Sequence, residues 1–388
     1  MTSNVTSIAR VRAAARSQAE RSHVNNRIAT TLLVVTVILV VIGLGETLSA
    51  SSAKAITDRQ DRFFFLKRQL IGLGIGTAVM ILLSRLPYRT WRKLATPLFI
   101  ATVALLTVVL FAGESANGAR RWLLLGSLSF QPSELAKLAL ILILAVLMER
   151  KQKVIGDFRE MAGPVVFCVG LLGFLIMKEP DLGTAIVVAA SALAVLSVST
   201  ARLRHVAAIT LGAVLLAALL TLSASYRLNR IEGFLDPWAD PGDTGYQVIQ
   251  GYYALGTGGV FGVGIGASRA RWSYLPNAHT DFIFAIIGEE TGLIGGLMVM
   301  ALFAILAMAG WAVASRAPDR FGRMVAAGLT AWLSFQALVN IGGVLGVLPI
   351  TGITLPFVSY GSTALISSMA ALGILVNIAH DGRSRAEP

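Results

Sequence analysis

Long apolar runs alternate with short charged segments along nearly the whole chain. Stretches such as 30–49 and 94–112 match the ~20 apolar residues that cross a bilayer. A segment inside hydrocarbon must satisfy its own backbone N–H and C=O groups, so each run is predicted to be an α-helix. Ten spans are expected, at roughly 30–50, 69–84, 94–112, 133–149, 161–177, 183–199, 206–224, 281–313, 324–348 and 363–379. The eighth is longer than a bilayer requires, and tilt or projection beyond the membrane is expected to absorb the excess. The first is too long for the apolar core of a signal peptide, although small residues follow it, and is read as retained. The fold class is therefore all-α, a polytopic integral membrane protein with about ten transmembrane helices and one long extracytoplasmic loop.

The polar segments between the runs set the orientation. With the N-terminus inside, segments 1–29, 85–93, 149–160, 199–205, 314–323 and the tail hold 20 of the 33 Lys and Arg residues. That asymmetry follows the positive-inside rule. Lys54, Arg59 and Arg62 of the first outer loop run against it, partly offset by Asp58 and Asp61. The chain divides into a basic cytoplasmic N-terminal tail (1–29), a ten-helix membrane domain (30–379) and a cytoplasmic C-terminal tail (380–388). The longest outer connection, 225–280, is rich in Gly, Trp, Tyr and Pro, and connections of this length are usually functional.

Composition agrees with this reading. Mean hydropathy is +0.72, and 55% of residues are apolar against 14% charged. The net charge of +12 invites a nucleic-acid partner, but its placement assigns it to orientation, so none is expected. A single cysteine, Cys168, excludes an internal disulfide or a cysteine metal cluster, and the four histidines lie at no metal-ligand spacing. Gly262-Val-Gly264-Ile-Gly-Ala267 fits a dinucleotide fingerprint only in letters, because no strand–turn–helix context surrounds it. No Walker motif is present, which disfavours an ATP-driven pump. No cofactor is identifiable, and dependence on a divalent cation is not legible in the residues.

Three constellations carry candidate chemistry. His279, Thr280 and Asp281 stand where the long loop enters the eighth span, with Glu289 and Glu290 two turns further in. Asp281 has two readings here, a helix N-cap or a reactive carboxylate, and a helix end would depress its pKa. Carboxylates inside a membrane are normally paired or line a polar cavity, and two in succession point in different directions. The second constellation is Arg120 and Arg121, followed by Gln131-Pro-Ser-Glu134-Leu-Ala-Lys137. Pro132 and Ser133 suit a helix start, and Glu134 and Lys137 share one face. They form either a local neutral pair or part of a cleft with Glu179 and Asp181. The third is the cationic set of the long loop, in which Arg227 and Arg230 suit a lipid pyrophosphate.

Taken together, Asn117-Gly-Ala-Arg-Arg-Trp122, Gln131–Lys137, Glu179-Pro-Asp-Leu-Gly-Thr184, His279–Phe284 with Gly288-Glu-Glu290, and Gly352-Ile-Thr-Leu-Pro-Phe-Val-Ser-Tyr-Gly361 resemble the SEDS family of shape, elongation, division and sporulation proteins. The resemblance runs from about residue 30 to 379, and its last motif is closer to the FtsW branch than to RodA. Departures occur at Gly361-Ser362 and Gln250-Gly251, away from the charged sites. The resemblance implies a peptidoglycan glycosyltransferase that polymerises lipid II at the outer face of the bacterial cytoplasmic membrane, for division or elongation. It further implies a class B penicillin-binding transpeptidase as partner, Asp281 as the catalytic residue, and Glu134 and Lys137 in a central cavity. A partner helix is expected to pack on the eighth and ninth spans through Gly288, Gly292, Gly295 and Gly296, because small residues let membrane helices approach. Two other classes remain open on the residues alone, a lipid II flippase or transporter and a non-catalytic scaffold.

Overall fold

A computed structural model of the protein describes residues 2–116, 119–126, 128–152, 156–223, 225–272 and 275–381. Asn117 and Gly118 of the first motif, Tyr274, and residues 382–388 of the C-terminal tail lie outside the described residues. Every expected span is a helix. They are α1 (Thr2–Arg59), α2 (Phe64–Arg85), α3 (Trp91–Ala112), α4 (Pro132–Arg150), α5 (Phe158–Lys178), α6 (Leu182–Ser197) and α7 (Leu203–Leu222). After the long connection, which contributes α8 (Ser225–Leu235) and α9 (Tyr246–Gly258), come α10 (Ile283–Arg316), α11 (Arg320–Val344) and α12 (Ser362–Asp381).

Of the ten helices that correspond to expected spans, eight are long and apolar enough to cross a membrane on their own. The exceptions are α4, which carries Glu134, Lys137, Glu149 and Arg150, and α6, whose 16 residues extend about 24 Å. Both pack among other helices: α4 against α3, α6 and α11, and α6 also against α5 and α11. Packed there, a charged or short helix need not meet lipid along its length. The most buried helices are α4, α11 and α12, whereas α7 is exposed along most of its length. The protein is a multi-pass helical membrane protein.

Three features differ from the sequence expectation. A small antiparallel sheet, β1 (Glu114–Ala116), β2 (Ala119–Leu125) and β3 (Leu128–Phe130), fills the α3–α4 connection. The helix of the first span extends from Thr2 to Arg59, so the basic N-terminal segment continues into it without a break. The third difference is a break within α10, at Gly292.

Gly292 has φ 69° and ψ −166°, a conformation essentially confined to glycine. The break strips the helix of intrahelical hydrogen bonds, and the loop after α9 replaces them. The Val263 and Gly264 N–H groups donate to the Glu289 and Glu290 carbonyls, both at 3.0 Å. Leu293 and Ile294 N–H donate to the carbonyls of Gly259 and Val260 at 3.0 and 3.4 Å. Irregular backbone is tolerated at such depth only where protein satisfies it, which this docking does. The Gly262–Ala267 run is therefore a strip of backbone docked in a broken helix.

The same packing corrects the expected partner surface. Gly288, Gly292, Gly295 and Gly296 are buried inside the fold. A Cβ at Gly288 would strike Leu255, and one at Gly292 would strike the backbone of Val260 and Gly262. One at Gly295 would strike Thr291 of the same helix. The exposed side of α10 is formed instead by Leu293, Leu297, Met300, Met308 and Trp311.

Opposite the long connection, a charged network ties the turns together. Asp319 caps α11 through the Gly322 N–H at 2.8 Å and accepts from Tyr88 Oη and Arg92 Nη2 at 2.9 and 3.0 Å. Arg92 also reaches Glu149, and Arg89 reaches Asp381. These contacts lower the Asp319 pKa against the opposing effect of its burial.

A candidate active site beneath the long connection

The residues around Asp281 come from two segments far apart in sequence. Ser359 Oγ donates to the Thr280 carbonyl, and the Tyr360 N–H donates to the His279 carbonyl at 3.0 Å. The His279 ring packs against both Phe65 and Tyr360, with centroids 4.9 and 5.7 Å away. Burial, and then nearby Lys54, lower the His279 pKa to about 4, so the ring is neutral at pH 7. Asn340 of α11 completes the clamp. Its Nδ2 donates to the Asp281 carbonyl at 2.9 Å and to the Ile353 carbonyl at 2.7 Å.

Asp281 is not the helix cap. The cap position of α10 is Phe282, which has no side-chain cap bond. Asp281 precedes it, and its Oδ1 accepts from Thr280 Oγ1 at 2.7 Å. Its Oδ2 faces Gly352, where φ is 76° and no side chain intervenes. A Cβ built at Gly352 would lie 3.8 Å from both Asp281 Oδ2 and Arg230 Nη1. One point in this cleft is thus in van der Waals reach of a carboxylate and a guanidinium. Arg230 is exposed and held by the carbonyls of Ile350 and Thr351 at 3.5 and 3.3 Å. Burial raises the Asp281 pKa, opposed by the Thr280 hydroxyl, its own backbone N–H and Arg230. The depression expected from a helix end is absent because the side chain is not at the cap.

Behind this cleft sits the buried pair of α4. Lys137 Nζ donates to Glu134 Oε1 and to Gln336 Oε1, each at 2.8 Å, and lies 4.9 Å from the Trp332 ring centre. Trp332 Nε1 also donates to Gln336 Oε1 at 2.8 Å. Gln336 Nε2 then donates to the Thr354 carbonyl at 2.9 Å. The charged pair is connected in this way to the segment that faces Asp281.

The Glu179–Thr184 motif adjoins the same segment. Asp181 caps α6 through the Thr184 N–H at 3.0 Å and also accepts from Gln131 Nε2 at 3.5 Å. A Cβ at Gly183 would meet the Thr351 carbonyl at 2.9 Å, so this turn packs directly on 351–353. Glu179 is fully buried, and neither carboxyl oxygen has a hydrogen-bond donor among the described residues. Burial, reinforced by Asp181 and opposed by Arg121, pushes its pKa to about 8. Arg121 spends its guanidinium on the Glu179 and Pro180 carbonyls at 2.7 and 2.6 Å. Arg120 is exposed and donates to the Phe111 carbonyl, while Arg227 reaches back to the Leu220 carbonyl.

Glu289 and Glu290 lie apart from this cleft, both turned to the docked loop. Glu289 accepts from Ser268 Oγ, the Arg269 N–H at 2.9 Å and the Ala270 N–H at 3.3 Å. Glu290 accepts from the Gly266 N–H at 2.8 Å, the Ser268 N–H at 3.4 Å and Ser49 Oγ of α1. They position the loop. Sequence reasoning missed Glu46, Gln336 and Asn340, all buried polar residues within apolar helices. The cost of such groups in a membrane was the available signal.

Comparison with known proteins agrees with this arrangement. Residues 29–384 match the cell cycle protein family of FtsW, RodA and SpoVE. Stage V sporulation protein E of Bacillus subtilis is 42% identical over 356 residues, covering 91% of this chain and 97% of its own. A probable peptidoglycan glycosyltransferase FtsW of Geobacter metallireducens is 39% identical, covering 89% and 93%. Among solved structures, a chain of a peptidoglycan synthase complex aligns with a TM-score of 0.74 at 32% identity, over 90% of this chain and 97% of that one. RodA of Thermus thermophilus aligns with a TM-score of 0.67 at 31% identity, over 90% and 96%. With nearly the full length of the membrane domain matched in sequence and in fold, the chain belongs to the FtsW, RodA and SpoVE cell cycle protein family, the SEDS proteins.

Proposed function

We propose that this chain is a peptidoglycan glycosyltransferase that extends glycan strands from lipid II, with Asp281 as its catalytic residue. The observation that carries this is the cleft at Gly352, one point of which lies 3.8 Å from both Asp281 Oδ2 and Arg230 Nη1. An acceptor hydroxyl at Asp281 loses its proton to Oδ2 as its oxygen bonds to the donor's anomeric carbon. The bond from that carbon to the phosphate oxygen breaks, and undecaprenyl pyrophosphate departs with the electron pair. Arg230 is placed to stabilise the departing charge, with Arg120, Arg121 and Arg227 on the same side of the bundle. A raised Asp281 pKa makes it a stronger base than a helix cap would be. Glu134 and Lys137 hold segment 351–355 through Gln336, and Glu179 and Asp181 support it from the α5–α6 turn. Among the described residues, no group of three or more His, Cys, Asp or Glu is placed to hold a metal ion.

The Lys and Arg distribution supports an orientation in the bacterial cytoplasmic membrane with the long connection outside and both termini in the cytoplasm. The 30–379 domain then presents Asp281 at the outer surface, where lipid-linked sugars meet. A class B penicillin-binding transpeptidase fits as partner, its single span resting on the exposed apolar ridge of α10 and not on the buried glycines. The flippase reading needs the intramembrane charges to line a path. Glu289 and Glu290 are bound to loop backbone and Glu134 to Lys137, which favours surface chemistry.

Incubation of the purified full chain with lipid II tests the proposal. Polymer is expected from the wild type, and Asp281→Asn is expected to lower its yield by roughly 100-fold or more. Asp243→Asn, on the exposed part of the long connection, serves as control. Translocation without polymer would make the protein a flippase, and neither activity would make it a scaffold. Undiminished polymer from folded Asp281→Asn protein would remove Asp281 from the chemistry.

A further inference from the structure

The α11 helix places two amide side chains, Gln336 and Asn340, one turn apart on the same face. Both donate through their nitrogens to backbone carbonyls of the segment facing Asp281. Their oxygens differ. Gln336 Oε1 receives two donors, Lys137 Nζ and Trp332 Nε1. Asn340 Oδ1 receives none among the described residues, although the side chain is only 4% exposed. The amide cannot turn to exchange its ends, because its oxygen would then face the Asp281 and Ile353 carbonyls. A buried acceptor without a donor is uncommon and costly. Asn340 also lines the cleft that Asp281, Thr351 and Gly352 line. Beside this cleft the site therefore holds two acceptors, a carboxylate and a buried amide oxygen, tied together by the Asn340 Nδ2 bond to the Asp281 backbone.

We infer that Asn340 Oδ1 is an acceptor-sugar subsite that takes a hydrogen bond from a hydroxyl flanking the one that attacks. This rests on the proposed glycosyl transfer and adds a specificity determinant to it. Asp281 takes the proton of the attacking hydroxyl, while Asn340 reads its neighbour and fixes the rotation of the ring. A pyranose offers such neighbouring hydroxyls. A site built to accept from a hydroxyl rejects an analogue that lacks it, because its own oxygen is then left unpaired.

The test uses the full chain, lipid II as donor, and lipid-linked disaccharide acceptors deoxygenated at position 3 or 6, on either side of the attacking 4-hydroxyl. Wild-type protein is expected to lose ~10-fold or more in kcat/KM on one of the two. In Asn340→Ala, activity on the natural acceptor falls, but the same analogue suffers no further loss. Each comparison is a ratio within one variant, so a loss of folded protein does not imitate it. A penalty that persists in Asn340→Ala, or is absent in wild type, overturns the inference. A wild-type chain that makes no polymer from lipid II itself fails the proposed function instead.

Discussion

The Glu134–Lys137 pair allows a worked prediction. The two side chains are 6% and 2% exposed and meet at 2.8 Å, so solvent screens them little. At an effective dielectric constant near 20, unit charges about 4 Å apart attract by about 4 kcal/mol. Glu134→Gln leaves the ammonium the Gln336 oxygen and the Trp332 ring, while Lys137→Met leaves a carboxylate whose Oε2 already has no donor. Each single change is expected to cost about 3–5 kcal/mol, with Lys137→Met the worse. The double variant buries no charge and should cost less than either, giving an interaction term of about 3 kcal/mol or more. Reversible unfolding of wild type, both singles and the double in mild detergent measures the cycle. Additivity within about 0.5 kcal/mol would refute the pairing, and with it the link from α4 to segment 351–355.

Three further outcomes follow from the geometry. Gly292→Ala forces a Cβ into the docked loop at a backbone angle only glycine adopts readily, and should destabilise the protein by about 3 kcal/mol or more in the same unfolding assay. Glu290→Gln replaces part of an acceptor facing the Gly266 and Ser268 N–H groups with a donor, so hydrogen exchange in 259–272 should accelerate while α12 stays protected. The Asp281 pKa is raised in the folded state, so this group favours folding below its usual 3.8 and loses that contribution as pH rises through the folded value. Asp281→Asn should therefore melt higher than wild type at pH 7 and above, with the gap closing toward pH 3; a gap independent of pH would contradict the burial argument.

Much of this protein is legible in the chain. Hydrocarbon leaves a long apolar run one workable arrangement for its backbone, so the residues alone place the helices. The Glu134–Lys137 contact is also local, since three residues on a helix bring side chains within reach. Glycine at 292 could not announce a break, because the same residue tolerates an intact helix. The break depends on the loop at 259–264, whose N–H and C=O groups replace the lost bonds. Likewise, whether Asp281 caps α10 turned on where the helix starts, and Phe282 took that place. Glu289 and Glu290 were visible as costly intramembrane carboxylates, but their donors came from the docked loop and from Ser49 of α1. Asn340 gave the weakest signal of all, a second amide one turn after Gln336 in an apolar span. Its role emerged once folding brought Asp281 and Ile353 to its nitrogen and left its oxygen buried beside the cleft, because contacts between distant segments are set by the packing of whole helices and not by local spacing.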